Sequence, residues 1–389
     1  MESQNRFSMR KTHDVIVIGG GSAGYAAART ARDAGADVAI VDQGPLGGLC
    51  ILRSAEVASL MRRAKEFGLS PVEVRAGLSA IVDRKNELVR EFAEYRIQQL
   101  RDSGLTLYQS RARFRSSREI EVDGATLSAH AFVIVTGSNP YDPSIPGLAE
   151  AGYYTSDTIL DLCTQPSSLI VLGAGPVALE LGQFFARIGT KVTILQRAKT
   201  TLSEMDKDVG LAVTTALRDE GLAVVTDAEL VRMTHDGGLA TVWVKRDGQE
   251  TAYRGEAMLQ ALGRRPNVEG LHLKTAGVKM EEGRIVVDAA MRTSQSHIYA
   301  VGDVNDVTPI VHLAIQQGEI AAYNATHPGK PAKELDHRLD AEVVLRIPRS
   351  RCWGSMKRAR RLKRFPISRP PIRSSIMGKR FVLAPHRAL

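Results

Sequence analysis

The feature that most constrains the fold is a short apolar run that leads into a glycine-rich turn and occurs twice in the chain. The first copy, Asp14-Val-Ile-Val-Ile-Gly19-Gly-Gly21-Ser-Ala-Gly24, is followed by an alanine-rich stretch from Tyr25 to Ala34. Because β-branched residues favour strands and alanine favours helices, the segment predicts a strand, a turn and a helix in that order. Two such segments predict an α/β fold with parallel sheets.

The glycine spacing of the first copy is typical of a dinucleotide-binding turn. Gly19 allows the tight turn, Gly21 the approach of a pyrophosphate to the backbone, and Gly24 close contact of the helix. The start of the helix adds unpaired N–H groups and a positive dipole end. A second predicted strand, 38–41, ends at Asp42, where a carboxylate can accept hydrogen bonds from a ribose 2′-hydroxyl. The alternative is a glycine-rich turn in an ordinary α/β sheet.

The second copy, Leu169-Ile-Val-Leu-Gly173-Ala-Gly175-Pro-Val-Ala178-Leu-Glu180, predicts a second dinucleotide-binding unit. A strand is expected over 191–195. After this strand, Gln196 stands where an acidic residue would hold a 2′-hydroxyl, and Arg197 follows it. A cation at this point favours the 2′-phosphate of NADPH over NADH. The alternative for Arg197 is a solvated surface arginine.

Further elements are predicted between and after the two turns. Apolar residues at helical spacing predict a long amphipathic helix over 79–103, which ends before Gly104. Residues 119–122 and 131–136 are expected to be strands. Residues 223–254 form a strand-rich segment with Asp-Gly turns.

Composition excludes several classes of protein. With 389 residues, 43% of them hydrophobic and 24% charged, the chain is expected to be globular with two or three domains. Its three cysteines, Cys50, Cys163 and Cys352, are too few for a disulfide framework, so a reducing cytoplasm is expected. Free cysteines are usually buried, which predicts burial of Cys163. No membrane span, signal peptide or metal-binding cluster is expected.

The order of the motifs resembles that of the FAD-dependent pyridine nucleotide-disulfide oxidoreductases, which include dihydrolipoamide dehydrogenase, glutathione reductase and mercuric reductase. The resemblance covers roughly residues 13–345. Besides the two glycine turns, it is carried by four short motifs: Gly47-Gly48-Leu49-Cys50, Thr136-Gly137-Ser138, Gly263-Arg264-Arg265-Pro266-Asn267 and Tyr299-Ala300-Val301-Gly302-Asp303.

The resemblance implies two Rossmann-like dinucleotide-binding domains, the second inserted in the first. The FAD-binding domain is expected over 13–150 and 270–330, and the NAD(P)-binding domain over 151–269. Asp42 is expected at the adenosine ribose, Asp303 at the ribitol chain and Glu180 near the ring stack. The implied FAD residues are Gly19, Gly21, Gly24, Asp42, Gly48, Thr136, Gly137, Asp303 and Ala314. The implied NAD(P) residues are Gly173, Gly175, Ala178, Glu180, Arg197 and Gly263.

The resemblance also implies an activity, hydride transfer between NAD(P)H and FAD, with a small disulfide or thiol-linked substrate. The family's redox centre is a pair of cysteines separated by four residues, and here Cys50 is matched by Ala55 at the second position. We therefore expect Cys50 to be an incomplete catalytic pair, and disulfide reduction to be impaired. The alternative is a damaged family member that retains only nucleotide binding or diaphorase activity.

The C-terminus departs from the family. Residues 331–345 resemble the opening of the family's interface domain, but the remainder of that domain is not recognisable, so the family's homodimer is not expected. Of the chain's 52 Lys and Arg residues, 14 lie in residues 346–389, which contain no Asp or Glu. Such a tail is expected to be disordered. Polyanion binding through this tail is the alternative function, although no specific nucleic acid or membrane partner is expected.

Overall fold

The structure is a computed structural model that describes residues 11–43, 77–336, 341–344 and 350–353. Its α-helices are α1 (Ser22–Asp33), α2 (Leu78–Asp102), α3 (Leu148–Ala151), α4 (Pro176–Ile188), α5 (Lys207–Asp219) and α6 (Val311–Thr326). Its strands are β1 (Lys11–Ile18), β2 (Val38–Val41), β3 (Thr106–Tyr108), β4 (Ala112–Ser116), β5 (Glu119–Val122), β6 (Ala125–Ile134), β7 (Ser138–Pro140), β8 (Ser168–Leu172), β9 (Lys191–Leu195), β10 (Ala223–Val225), β11 (Glu229–Asp236), β12 (Leu239–Arg246), β13 (Gln249–Gly255), β14 (Ala257–Gln260), β15 (Arg264–Pro266), β16 (Met280–Glu281), β17 (Arg284–Ile285), β18 (Ile298–Ala300), β19 (Ala341–Val344) and β20 (Ser350–Trp353).

The chain divides into two compact units, which are described separately. Among the described residues, unit 1 contains 11–43, 89–139 and 264–336, and unit 2 contains 77–88, 140–263, 341–344 and 350–353. The division falls earlier than the sequence-based boundaries at 150 and 269. One reason is that Leu148 and Ala151 of α3 are buried in the apolar core of unit 2.

Unit 1 is built on a sheet with the strand order β3-β2-β1-β6, to which β18 adds beside the end of β6. These strands are parallel, and β4 and β5 continue the sheet in antiparallel pairing against the first half of β6. Val15 and Val17 face one core, and Ile16 and Ile18 face another. Burial on both faces explains why β1 reads as an unbroken apolar run.

Unit 2 repeats this arrangement with the parallel order β10-β9-β8-β14. Its strands β11, β12 and β13 form a separate antiparallel sheet, as the Asp-Gly turns predicted. Helix α4 begins at Pro176, which suits the first turn of a helix because proline lacks an N–H, and it ends before Gly189 in the left-handed region. Each unit thus contains a parallel sheet that is packed on both faces, and this confirms the predicted α/β fold class.

Two details differ from the sequence prediction. The strand expected over 131–136 begins earlier, at Ala125, because residues 125–128 pair with β5. The tail from 346 onward was expected to be disordered, but its residues 350–353 form β20, whose backbone pairs with the apolar strand β19. Within the described part of the chain, none of the helices combines the length and apolarity required to cross a membrane.

Candidate functional site

In unit 1, the carboxyl ends of the parallel strands bring four predicted motifs to one edge of the sheet. Gly19 follows β1, Asp42 follows β2, Thr136 lies beyond β6, and Gly302 lies beyond β18. The Gly19 amide donates a hydrogen bond to the carbonyl oxygen of Val41 at 2.8 Å. This edge is where open parallel sheets bind ligands.

In the first glycine turn, Gly19 and Gly24 have no room for a side chain, whereas Gly21 has. A Cβ on Gly19, whose φ is +115°, would lie 2.2 Å from the carbonyl oxygen of Val135. A Cβ on Gly24 would lie 1.9 Å from the carbonyl oxygen of Gly19. A Cβ on Gly21 would meet no atom of the described residues within 4 Å. The turn itself thus requires Gly19 and Gly24, whereas Gly21 borders open space in front of the backbone.

Helix α1 begins at this open position. Its N-cap residue is Gly21, and no side chain of the described ranges caps the helix by a hydrogen bond. Its first N–H groups therefore remain available to an anion, and the helix dipole favours negative charge at the same point. The space beside Gly21 and the uncapped helix start fit the pyrophosphate of a dinucleotide.

Two motifs of unit 1 that are far apart in sequence are joined by hydrogen bonds. The Thr136 hydroxyl donates to the carbonyl oxygen of Asn267 at 2.6 Å, and the Asn267 side-chain amide donates to the carbonyl oxygen of Thr136 at 3.2 Å. The Asn267 backbone amide donates to Gly137 at 2.9 Å. These bonds fix the loop that follows β6.

The next residue, Ser138, connects this loop to Asp303. Its hydroxyl lies 2.7 Å from Oδ2 of Asp303, and Nε of Arg264 donates to that hydroxyl at 2.8 Å. The pKa of the nearby Asp306 carboxyl is raised by desolvation and by the negative charge of Asp303, against the opposing charge of Arg284. Asp303 thus has a second carboxyl group in its neighbourhood and a serine hydroxyl on one of its oxygens.

A buried amide supports the turn that carries Asp303. Oε1 of Gln317 accepts hydrogen bonds from the Gly302 amide at 2.7 Å and from Nδ2 of Asn305 at 3.0 Å. Ala314, one turn earlier on α6, is buried, and a Cβ on Gly302 would lie 3.2 Å from its methyl group. The structure thus places Ala314 directly against the Gly302–Asp303 turn. Gly48 and Cys50 lie outside the described residues.

The second glycine turn, in unit 2, has the same closed and open positions. A Cβ on Gly173 would lie 2.5 Å from the carbonyl oxygen of Ala261, whereas a Cβ on Gly175 would meet no atom within 4 Å in the part of the chain that the structure describes. Gly175 is the N-cap of α4, again without a side-chain cap. Ala178 is completely buried, as a small third residue of such a turn should be.

Other predicted residues of unit 2 lie at the same sheet edge. The Gly173 amide donates to the carbonyl oxygen of Leu195, the last residue of β9, at 2.8 Å. Arg197 follows β9 and is exposed, and Gly263 lies beyond β14 with φ of +124°. Glu180 lies on α4 and is half-buried. The residues present therefore fit a second dinucleotide.

One residue differs from its predicted burial, and three others make contacts that the sequence did not predict. Cys163 is exposed, not buried, because it lies in the loop after the short 3-10 helix Ile159–Asp161. Ser138, Arg264 and Asn267 stand in the sequence only as parts of short motifs, without a predicted role. Their hydrogen bonds in the structure show the contacts that they make. Within the described ranges, no group of three or more His, Cys, Asp or Glu residues is placed to hold a metal ion.

Comparison with known proteins agrees with this arrangement. The family model "Pyridine nucleotide-disulphide oxidoreductase" matches residues 13–318. A mercuric reductase of Staphylococcus aureus is 32% identical over 359 residues, which cover 89% of this chain and 65% of that protein. A mercuric reductase of Bacillus cereus is 35% identical over 344 residues, which cover 85% of this chain and 54% of that protein.

Two further relatives match over more of their own length. A dihydrolipoyl dehydrogenase of Acholeplasma laidlawii is 32% identical over 326 residues, covering 80% of this chain and 95% of that protein. The solved structure of the HOCl-induced flavoprotein disulfide reductase RclA from Escherichia coli, as its Cu(II) complex, has a TM-score of 0.77 and 26% identity. That match covers 91% of this chain and 79% of RclA.

The mercuric reductases are longer than the matched region. This chain spans 65% of the length of the Staphylococcus aureus protein and 54% of that of the Bacillus cereus protein. The family model nevertheless extends over both glycine turns and over the motif that ends at Asp303. The chain belongs to the pyridine nucleotide-disulphide oxidoreductase family.

Proposed function

We propose that this chain is an FAD-dependent NAD(P)H oxidoreductase that binds FAD on unit 1 and the nicotinamide dinucleotide on unit 2. The observation that carries the proposal is the pair of glycine turns, each closed at its first glycine and open at its second. Both turns lie at the carboxyl edge of a parallel sheet and lead into an uncapped helix. Family membership supports the same assignment.

The residues of unit 1 divide the recognition of FAD among them. The backbone beside Gly21 and the first amides of α1 bind the pyrophosphate, because both face open space and neither has a side-chain cap. Asp42 accepts a hydrogen bond from the adenosine ribose, and Asp303 accepts one from the ribitol chain. The flavin ring, when bound, supplies the chemistry of a two-electron hydride acceptor.

The residues of unit 2 bind and orient the hydride donor. The amides at the start of α4 hold the pyrophosphate beside Gly175, as in unit 1. Arg197 supports a preference for NADPH because its guanidinium is exposed after β9, where it can donate to a 2′-phosphate. Gln196, the preceding residue, carries no negative charge that would repel this phosphate.

The electron acceptor is proposed to be a small molecule, in keeping with the relatives named mercuric reductase and dihydrolipoyl dehydrogenase. Cys50 and Ala55 lie outside the described residues, so the incomplete cysteine pair rests on the sequence alone. A single thiol cannot alternate between dithiol and disulfide. We therefore propose that the flavin passes its electrons to an acceptor other than a disulfide. The low number of cysteines supports a cytoplasmic location.

The test is whether the purified full-length chain contains FAD or takes it up. We expect a yellow protein, or a stripped protein that binds added FAD and quenches its fluorescence. A colourless protein that does not take up FAD would contradict the proposal. Retention of NADPH binding by such a protein would restrict the error to unit 1.

A further inference from the structure

Ser138 stands between a cation and the carboxylate that the proposed function assigns to FAD. Nε of Arg264 lies 2.8 Å from Oγ of Ser138, and that Oγ lies 2.7 Å from Oδ2 of Asp303. The direction of both hydrogen bonds is fixed by the chemistry of the ends. A guanidinium nitrogen only donates and an ionised carboxylate only accepts, so the serine accepts from Arg264 and donates its one hydrogen to Asp303.

Arg264 holds this serine at two points. Besides the bond from Nε to the hydroxyl, its second nitrogen, Nη2, donates to the backbone carbonyl oxygen of Ser138 at 2.7 Å. Two hydrogen bonds to one residue require the planar, forked guanidinium of arginine, and they fix the Ser138 hydroxyl relative to its own backbone. Both bonds have a charged partner, which makes them stronger than bonds between neutral groups.

The backbone around these residues is held independently. Thr136 and Asn267 exchange hydrogen bonds between the same two segments, and Gln317 holds the Gly302 amide beside Asp303. Arg264, Ser138 and Asp303 therefore lie on segments whose positions are fixed by other contacts. Removal of the serine hydroxyl should leave those segments in place and free only the carboxylate.

We propose that Ser138 and Arg264 are positioning residues that orient the Asp303 carboxylate for the polyol chain of the flavin cofactor. Arg264 holds the Ser138 hydroxyl, and that hydroxyl engages Oδ2 of Asp303. Among the described residues this leaves Oδ1 of the same carboxylate for a ligand hydroxyl. A carboxylate held in one orientation does not lose rotational freedom when the ligand binds, so the affinity for FAD is higher. This inference rests on the proposed function of unit 1.

The test compares two substitutions of nearly equal shape in the full-length chain stripped of flavin. Ser138→Thr keeps a hydroxyl, and Ser138→Val removes it. The dissociation constant of added FAD, measured by quenching of its fluorescence, should stay within about twofold of wild type for the threonine variant and rise about five- to tenfold for the valine variant. Arg264→Gln should weaken FAD binding by about fivefold.

A second arm separates positioning from general destabilisation. In an Asp303→Ala background, Ser138→Val should have no further effect on FAD affinity, because its target carboxylate is gone. Ser110→Ala is the matched control, since the Ser110 hydroxyl also donates to an aspartate, Asp123, elsewhere in unit 1. It should leave FAD affinity unchanged. Thermal midpoints of the stripped proteins verify folding.

Three kinds of result would overturn the inference. Equal FAD affinity of the threonine and valine variants would show that the hydroxyl does not act on the cofactor. An equal effect of Ser138→Val with and without Asp303, or an equal effect of Ser110→Ala, would show a general structural role. Failure of the wild-type chain to bind FAD would overturn the proposed function and this inference together, whereas the first two results leave the proposed function intact.

Discussion

At the residue scale, the first turn assigns different tasks to two of its glycines. Gly24 is required by the fold, because any side chain there would collide with the carbonyl oxygen of Gly19. Gly21 has extended backbone and open space in front of it, so the fold itself tolerates a side chain. A glycine at that position fits the proposed approach of the pyrophosphate to the backbone.

This difference predicts the effect of Gly21→Val. The variant should fold normally but bind FAD about 100-fold more weakly or worse, because the branched side chain blocks at least two phosphate hydrogen bonds of about 1.5 kcal/mol each. FAD affinity is measured by fluorescence quenching and folding by thermal unfolding. Gly24→Ala is the contrasting variant and should lower the thermal midpoint even without FAD. Undiminished FAD binding by Gly21→Val would show that the pyrophosphate does not lie there.

The proposed contact of Arg197 with the 2′-phosphate predicts which of the two nicotinamide cofactors is preferred. A charge-assisted hydrogen bond to the 2′-phosphate contributes about 1.5–3 kcal/mol, so NADPH should be preferred to NADH by about tenfold or more. Arg197→Glu should reverse this preference, since it replaces attraction of the phosphate with repulsion. The measurement is kcat/KM for both cofactors with an artificial dye as acceptor.

A matched charge reversal distinguishes a local contact from the overall field of the protein. Arg254→Glu changes the charge by the same amount at an exposed residue of β13 in the same unit. It should leave the preference near the wild-type value. If Arg197→Glu and Arg254→Glu behave alike, Arg197 does not contact the 2′-phosphate.

At the element scale, α4 is tied to the end of α5 by a partly buried ion pair. Nε and Nη2 of Arg187 donate to the two carboxylate oxygens of Glu220 at 2.9 and 2.7 Å, and the Gln183 side chain donates to the same carboxylate at 3.0 Å. The Arg187 side chain is only 7% exposed, compared with 29% for Glu220. If Glu220 were neutralised, the largely buried guanidinium of Arg187 would lose the carboxylate that accepts two of its hydrogen bonds.

Glu220→Gln should therefore lower the free energy of unfolding of unit 2 by about 2 kcal/mol, which is less than the roughly 3–5 kcal/mol of a fully buried pair because Glu220 is partly solvated. Glu250→Gln is the control, because its ion pair with Arg232 is 3.8 Å long and exposed on both sides. That change should cost less than about 0.5 kcal/mol. Urea unfolding followed by tryptophan fluorescence reports unit 2, to which both tryptophans, Trp243 and Trp353, belong. An equal loss of unfolding free energy in Glu220→Gln and Glu250→Gln would contradict the stabilising role of the Arg187–Glu220 ion pair.

Elements with a strong local pattern were predictable from sequence. The amphipathic helix expected over 79–103 is found at Leu78–Asp102, and the strands expected over 38–41, 119–122 and 191–195 have those bounds. Their periodicity depends on neighbouring residues alone. The short strand Ser350–Trp353 was missed because its four residues show no clear strand pattern and their strand is defined by pairing with β19.

At the scale of the whole molecule, the fold class and the two glycine turns could be predicted from the sequence. The hydrogen bonds that link Arg264, Ser138 and Asp303 could not. Ser138 lies 165 positions from Asp303 and 126 from Arg264. No local pattern of charge or hydropathy connects residues so far apart. The pairing of β6 with β18 brings the segments of Ser138 and Asp303 together, and the separate pairing of β7 with β15 brings Ser138 and Arg264 together.

The central claim is that unit 2 binds the hydride donor and unit 1 the flavin that accepts the hydride. The most direct measurement is an anaerobic titration of the FAD-loaded chain with NADPH, followed by the visible absorbance of the flavin. We predict that the flavin is bleached in the wild type and in Cys50→Ser, but not in Gly175→Val, which should retain FAD and lose the donor. The account would be contradicted if the flavin of the wild type stayed oxidised. It would also be contradicted if NADPH bleached the flavin of Gly175→Val as completely as that of the wild type.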